Sequence, residues 1–122
     1  MKIVGINTNN FGSTGNIMLD TLKLAEERGH DVYPFCANVR ENKNKEVSGL
    51  SFVGIPRERW MNYMCETYSG FSGCFGFIGT HRFLKQLDRI KPDVLHLHNL
   101  HGWYINYHML FRWIKKRKVK VI

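Results

Sequence analysis

The sequence has few cysteines and few prolines, and each shortage argues against a class of protein. Cys36, Cys65 and Cys74 are odd in number and lack the spacing of metal ligands, which fits reduced thiols better than a disulfide framework. Three prolines among 122 residues argue against a collagen-like chain, although glycine recurs with a period of three over residues 70–79. With 43% hydrophobic and 23% charged residues, the composition indicates one globular domain with a hydrophobic core.

Long hydrophobic runs are also lacking. The longest stretch without Lys, Arg, Asp or Glu is residues 94–111, and its four histidines and two asparagines make it too polar to span a bilayer. The chain opens on a strand-like segment rather than on the basic, then apolar, pattern of a secretory signal, so we expect a cytoplasmic protein.

Acidic residues are scarce in the second half. Residues 1–55 carry six basic and six acidic residues, whereas residues 56–122 carry 12 and four, so the second half contains the whole formal charge of +8. Arg112, Lys115, Lys116 and Arg117 lie on a predicted helix with large aromatic residues, which favours a membrane-facing surface. A solvated helix end is the alternative. We expect no nucleic-acid partner, because no recognised binding motif accompanies the basic run.

Strand-like and helix-like hydrophobic patterns alternate along the chain. Predicted strands cover residues 2–6, 31–37, 50–55, 93–98 and 119–122, and predicted helices start at Ser13 or Thr14 and cover residues 80–91 and 103–116. Pro34 predicts an edge position or a bulge in the second strand. The alternation predicts an α/β fold, a Rossmann-like and mostly parallel sheet with flanking helices, as one domain over residues 1–122.

The remaining predictions concern the buried side of the first helix and the segments between the regular elements. The first helix is expected to bury Ile17, Met18, Leu22 and Ala25. Residues 38–46 are predicted to form a polar loop, and residues 69–80 a flexible glycine-rich loop. Residues 60–68, rich in aromatics and methionine, show no regular period.

A glycine turn joins the first strand to the first helix, with the residues Gly12, Ser13, Thr14, Gly15 and Asn16. Backbone N–H groups and the helix dipole at such a turn predict a phosphate site. The spacing is not the G-x-G-x-x-G of dinucleotide enzymes, and the lysine of ATP- and GTP-binding loops is missing, which argues against those cofactors. A tight turn without a ligand is the alternative.

Three histidines form the second candidate group. His96 and His98 share one side of the predicted fourth strand, and Asn99 and His101 follow at its carboxyl end, where open α/β sheets place ligands. Substrate contact is one interpretation and hydrogen-bonded packing the other. We expect no metal, because no Cys, Glu or second Asp clusters with the histidines.

In this order and spacing, the segments resemble the retaining glycosyltransferases of family 4, which have the two-domain GT-B fold. The likeness covers nearly the whole chain and depends on residues 12–17, 26–32 and, above all, 91–99 continuing into 102–106. It is closest to enzymes of bacterial capsule, O-antigen and exopolysaccharide synthesis.

The resemblance implies sugar transfer from a nucleotide sugar to a glycan or lipid-linked acceptor, without a further cofactor. This N-terminal domain would hold the acceptor at His96, His98, Asn99 and His101, and the glycine turn would approach the donor phosphate. The family's catalytic-region histidine and donor domain follow the fifth strand, so no residue here is assigned as catalytic. We expect the 122 residues alone to be inactive and prone to self-association. Lipid-linked acceptors imply peripheral association with the inner membrane surface.

Two other functions stay open from the residues alone. One is a stand-alone α/β module that binds a phosphorylated small molecule. The other is a basic module that binds membranes or nucleic acid.

Overall fold

Strands and helices alternate along the chain in the computed structural model, which describes residues Met1–Ile122. The strands are β1 (Lys2–Asn7), β2 (Asp31–Ala37), β3 (Ser51–Val53), β4 (Val94–Leu97) and β5 (Lys120–Val121). The helices are α1 (Gly12–Glu27), α2 (Arg40–Lys43), α3 (Pro56–Ser69), α4 (Phe77–Ile90) and α5 (Tyr107–Arg117). None of these helices combines the length and the hydrophobicity needed to cross a bilayer.

The five strands form one sheet, all parallel, in the order β3-β2-β1-β4-β5. This arrangement confirms the predicted Rossmann-like α/β class. The chain winds outward from β1 to β3 and then returns to place β4 on the other side of β1. Ligands of open α/β sheets bind outside the carboxyl ends of the strands where this winding reverses, which here lies between β1 and β4.

The two faces of the sheet are covered unequally. Val4, Ile6 and Leu95 contribute to a core of 12 buried residues shared with α4 and α5. On the opposite face, Met18 and Leu22 of α1 pack with Cys36, and α1 lies on β1 and β2. His96 and His98 alternate with the core residues of β4 and stay partly exposed.

Pro34 lies inside β2, which pairs with both β1 and β3 and has no bulge against β1, so the edge position or bulge predicted for it is wrong. The structure tolerates the proline for a local reason. The amides of Asp31 and Ala37 donate toward β1, to the carbonyl oxygens of Met1 at 3.0 Å and Thr8 at 3.2 Å. The nitrogen of Pro34, at an alternate position, therefore points away from β1. Since β3 pairs with β2 only from Phe35 onward, no ladder hydrogen bond is lost.

One short helix was missed, and the starts of two predicted helices were wrong. α2 lies within the segment predicted as a polar loop. α4 begins at Phe77 and not at residue 80, because the Glu58 carboxylate accepts from the N–H groups of Ile78 and Gly79 at 2.8 and 2.7 Å. α5 begins at Tyr107 and not at residue 103, because Asn106 caps it by accepting from the Met109 N–H at 3.0 Å.

The helix α3 was not predicted at all. It contains the aromatic segment 60–68, whose apolar residues follow no core-facing period. Its buried side is polar, with Asn62 as its buried residue. Its apolar residues Trp60, Met61, Met64 and Tyr68 do recur with a helical spacing, but on the outer side, and the sequence interpretation missed this signal.

The start of α1 also differs from the prediction. Neither Ser13 nor Thr14 caps the helix, which begins at Gly12. Its buried residues are Gly15, Met18 and Leu22, and Ile17 is 58% exposed. The reason is close packing at Gly15, where an added Cβ would lie 2.7 Å from the carbonyl carbon of Asn10.

Replacing Gly15 by valine is therefore expected to lower the free energy of unfolding by about 1–3 kcal/mol, because the new side chain overlaps the backbone of the preceding loop. Urea denaturation followed by circular dichroism measures this. Ser13→Ala, in the same turn but exposed, is the control and should leave the midpoint nearly unchanged. Equal midpoints for Gly15→Val and wild type would show that the loop moves aside without cost.

Candidate functional site

The two groups predicted from the sequence meet where the sheet reverses its winding. Asn7, the last residue of β1, is fully buried and joins them. Its Nδ2 donates to the Asn9 carbonyl oxygen at 2.7 Å and to Thr14 Oγ1 at 3.3 Å. Its Oδ1 accepts from the Asn99 N–H at 3.1 Å. One amide side chain thus ties the glycine turn to the end of the histidine segment. The sequence interpretation gave Asn7 no role beyond ending a strand.

The first turn of α1 is open to an external acceptor. Gly12, Ser13 and Thr14 are exposed, no side chain caps the turn, and it contains no acidic residue. The first N–H groups of a helix have no partner within it, so they are available to an anion. Gly15 has the packing role described above, and Asn16 faces a lysine.

That lysine, Lys45, is the functional candidate that the sequence interpretation missed. Its Nζ donates to the Asn10 carbonyl oxygen at 3.0 Å and to Asn16 Oδ1 at 3.4 Å. A cation therefore lies beside the first turn of α1, where the helix dipole also favours negative charge. Lys45 belongs to the segment predicted as a polar loop, and no local pattern distinguishes it from the other lysines there.

Two buried asparagines hold the Lys45 segment in place. Asn42 Nδ2 donates to the carbonyl oxygens of Thr8 and Ala37 at 2.7 and 2.8 Å, and Asn42 Oδ1 accepts from the Asn10 N–H at 3.2 Å. Asn10 Nδ2 donates in turn to the Asn42 and Lys45 carbonyl oxygens at 2.9 and 3.2 Å. The position of Lys45 is therefore fixed by contacts distant in sequence, which explains why it could not be predicted.

The histidines lie on the open side of β4. The ring centroids of His96 and His98 are 4.2 Å apart. His98 Nε2 is buried and has no hydrogen-bond partner. Burial, and secondarily the nearby His96, lower the pKa of His98 below its usual value. The ring is therefore neutral at pH 7 and presents an unpaired nitrogen that can accept or donate a hydrogen bond.

Asn99 and His101 continue this rim. Asn99 Nδ2 lies 3.1 Å from His101 Nε2, and Asn99 Oδ1 accepts from the His101 N–H at 3.3 Å. The Asn99 carbonyl oxygen accepts from the Thr8 and Tyr104 hydroxyl groups, both at 2.9 Å. The four predicted residues of the histidine segment thus form two pairs, His96 with His98 and Asn99 with His101, at the carboxyl end of β4, which we call the histidine rim; the backbone of Asn99 is held by hydrogen bonds.

Helix α3 supports the loop that carries this rim. Arg59 Nε donates to the Gly102 carbonyl oxygen at 2.8 Å, and Asn62 Nδ2 donates to that of Trp103 at 3.0 Å. Trp103 has a φ of 61°, a left-handed conformation that costs a non-glycine residue about 1 kcal/mol or more. Side-chain donors from α3 thus stabilise an unfavourable loop conformation beside the candidate site.

The chemistry of the crevice suits an anion. Residues 1–19 and 94–122, which supply the glycine turn and the histidine rim, contain no Asp or Glu. No group of three or more His, Cys, Asp or Glu is arranged to hold a metal ion. Burial raises the pKa of the Cys36 thiol to about 12, so this cysteine is not a nucleophile near neutral pH.

The four residues predicted to face a membrane divide into two groups. All four are exposed, but Arg112, Lys115 and Lys116 make no ion pair within the protein. Arg117 instead pairs with Asp88, at 2.8 Å from Nη2 to Oδ1, and the same carboxylate oxygen accepts from Trp113 Nε1 at 3.0 Å. Arg117 therefore lies on a different side of α5 from Arg112 and Lys115.

Comparison with models of known protein families gives no match for this chain, and comparison with curated proteins gives none either. The likeness to family 4 glycosyltransferases stays a prediction.

Removing the bridging side chain should destabilise the site. We expect Asn7→Ala to lower the free energy of unfolding by about 2 kcal/mol or more, because the Asn99 N–H and the Asn9 carbonyl lose their partner. Chemical denaturation measures the change. Asn9→Ala, which leaves the Asn9 carbonyl in place, is the matched control. A loss no larger than that of the control would mean that water replaces Asn7.

His98 should make stability depend on pH. Its pKa is lowered in the folded protein and is about 6.5 in an unfolded chain, so between these values the unfolded state binds more protons. Stability therefore falls as the pH drops through this window and levels off below the folded-state pKa. We expect His98→Gln to flatten the profile of unfolding free energy against pH, measured by urea denaturation. Exposed His81→Gln is the control, and parallel profiles for His98→Gln and wild type would contradict the assignment.

Proposed function

We propose that the protein is the N-terminal, acceptor-side part of a glycosyltransferase that uses a nucleotide sugar and a glycan or lipid-linked acceptor. The observation that carries the proposal is the bridge made by Asn7, which joins a glycine turn suited to phosphate and a rim of imidazole and amide groups suited to hydroxyl groups. Sugar transfer requires both kinds of group in one crevice.

The phosphate side has the properties that a departing nucleoside diphosphate needs. Negative charge develops on the leaving phosphate during transfer, and fixed N–H groups and cations stabilise it. The first turn of α1 offers N–H groups and the hydroxyl group of Ser13, and Lys45 adds a positive charge. The absence of carboxylates from the two segments that form the crevice avoids repulsion of the ligand.

The rim side supports recognition of a saccharide. Sugar hydroxyl groups both donate and accept hydrogen bonds, and so do the neutral imidazole of His98 and the amide of Asn99. His98 Nε2 is already dehydrated and unpaired, so a hydroxyl group that reaches it costs no further desolvation of that nitrogen.

A second function, a module that binds a phosphorylated small molecule, is favoured by one observation. Lys45 and the α1 turn form the anion site from this chain alone. Such a module would bind a simple sugar phosphate as tightly as a nucleotide sugar.

A negative charge introduced into the first turn of α1 tests the proposed phosphate site. We expect Ser13→Asp to weaken binding of nucleoside diphosphate sugars about tenfold or more, while the melting temperature stays the same or rises, because a carboxylate in the first turn suits the helix dipole. Lys45→Gln should weaken binding several-fold. Lys23→Gln, exposed on the same helix, is the control. Calorimetric titration measures the affinities.

Competition separates the two functions. For a glycosyltransferase, nuclear magnetic resonance should show nucleotide sugar perturbing residues 12–16 and oligosaccharide perturbing His98 and Asn99, with both bound together. Mutual displacement, or equal affinity for a sugar phosphate, would favour the binding module. No affinity for any phosphorylated ligand would refute the binding module, and no affinity for an oligosaccharide either would refute the acceptor-side assignment.

A further inference from the structure

Helix α3 turns its polar side chains toward the protein and its large apolar side chains outward. Glu58, Asn62 and Glu66 face inward, where Glu58 and Asn62 bind the backbone of α4 and of the loop after β4. On the outside, Trp60 is 65% exposed, Met61 58% and Tyr68 83%. This polarity is the reverse of an ordinary surface helix, whose apolar stripe faces the core.

The outward residues form one continuous stripe. Trp60, Met64 and Tyr68 are spaced four residues apart, so they lie one above another on the helix; Met64 is half-buried between the two exposed aromatic residues, and the exposed Met61 lies beside them. Phe71, 66% exposed, follows directly after the end of α3. We call Trp60, Met61, Met64, Tyr68 and Phe71 the α3 face. A contiguous exposed apolar surface of this kind marks an interaction site.

The charges around the α3 face are positive. Both carboxylates of α3 are occupied within the protein, since Glu66 accepts from the Ser72 hydroxyl group and Glu58 binds α4. Arg57, at the start of α3, is exposed. A groove of about 550 Å³ extends from residues 72–74 to Phe111, Arg112 and Lys115 of α5, all exposed.

We propose that the α3 face docks on a bilayer of anionic lipids. Trp and Tyr side chains suit the headgroup level of a membrane, where their rings are apolar and their polar atoms stay hydrated. Arg57, Arg112 and Lys115 would lie against lipid phosphates, and their attraction to an anionic surface would add to the apolar contact. A second copy of this chain is a less suitable partner for the α3 face. Two facing copies would bring their cations close together, and α3 has no free carboxylate to neutralise them.

This inference goes beyond the proposed function and does not depend on it. Since Arg59 and Asn62 of the same helix hold the loop after β4, docking of the α3 face would bring the histidine rim close to the lipid surface. Arg112 and Lys115 were predicted from the sequence to face a membrane. The α3 face adds the apolar contact, from a helix that the sequence interpretation missed.

The test is flotation of the protein with phosphatidylcholine vesicles, with and without phosphatidylglycerol. We expect binding to the anionic vesicles that weakens as salt rises. The triple variant Trp60→Ser, Met61→Ser, Tyr68→Ser, at three exposed positions, should bind at least tenfold more weakly. Ile17→Ser with Leu24→Ser, which removes two exposed apolar side chains from α1, is the matched control and should bind like wild type. Circular dichroism checks that each variant is folded.

Quenching by brominated lipids locates the contact. The other two tryptophans are less exposed than Trp60, at 37% for Trp103 and 9% for Trp113, so Trp60→Phe should remove most of the quenching. The proposal is overturned if no vesicle binds, or if the α3 variant binds as well as the control. It is also overturned if sedimentation shows a dimer of wild type, without vesicles, that the α3 variant abolishes, because a second copy would then occupy the face.

Discussion

Buried asparagine side chains hold together the carboxyl edge of the sheet, and the candidate site depends on them. Five of the six buried polar residues are asparagines, namely Asn7, Asn10, Asn42, Asn62 and Asn106. Each donates from its side-chain amide to a backbone carbonyl oxygen, which belongs respectively to Asn9, Asn42, Thr8, Trp103 and Cys74. A made hydrogen bond contributes only about 1 kcal/mol, but a buried group left without a partner costs about 1–3 kcal/mol. The free-energy cost of leaving these buried groups unpaired therefore fixes the geometry of this edge.

The same requirement explains the polarity of α3. The loop after β4 has a left-handed Trp103 and carbonyl groups that the sheet cannot pair, so a neighbouring element must supply donors. Arg59 and Asn62 do so from the inner side of α3, and Glu58 satisfies the first N–H groups of α4. With the inner side committed to polar contacts, the apolar residues of α3 remain outside. The exposed stripe is thus tied to the way in which the site is supported.

The sequence predicted what depends on local periodicity. The β1, β2 and β4 segments, the helix after the glycine turn and the parallel class follow from alternating apolar runs and from glycine and proline positions, and they agree with the structure. Position along the chain also indicated that the Gly12 turn and His98 lie at carboxyl ends of strands. The bridge made by Asn7 and the position of Lys45 depend on tertiary hydrogen bonds and could not be predicted. Helix α3 was missed for another reason, because its apolar residues have helical spacing but face outward. Asparagine favours loops by propensity, so its burial gives no pattern that a sequence can reveal.

The neutral amide side chains also keep negative charge away from the carboxyl edge of the sheet. An aspartate at position 7 could still accept from the Asn99 N–H, but it could not donate to the Asn9 carbonyl or to Thr14, and it would place a negative charge beneath the α1 turn. Asparagine meets the backbone requirements without that charge. Lys45 and the dipole of α1 therefore act on the crevice unopposed by a carboxylate from residues 1–19 or 94–122. The positive charge and the helix dipole favour a phosphate group close to the α1 turn. The exposed cations of α5 favour anions at the outer surface as well.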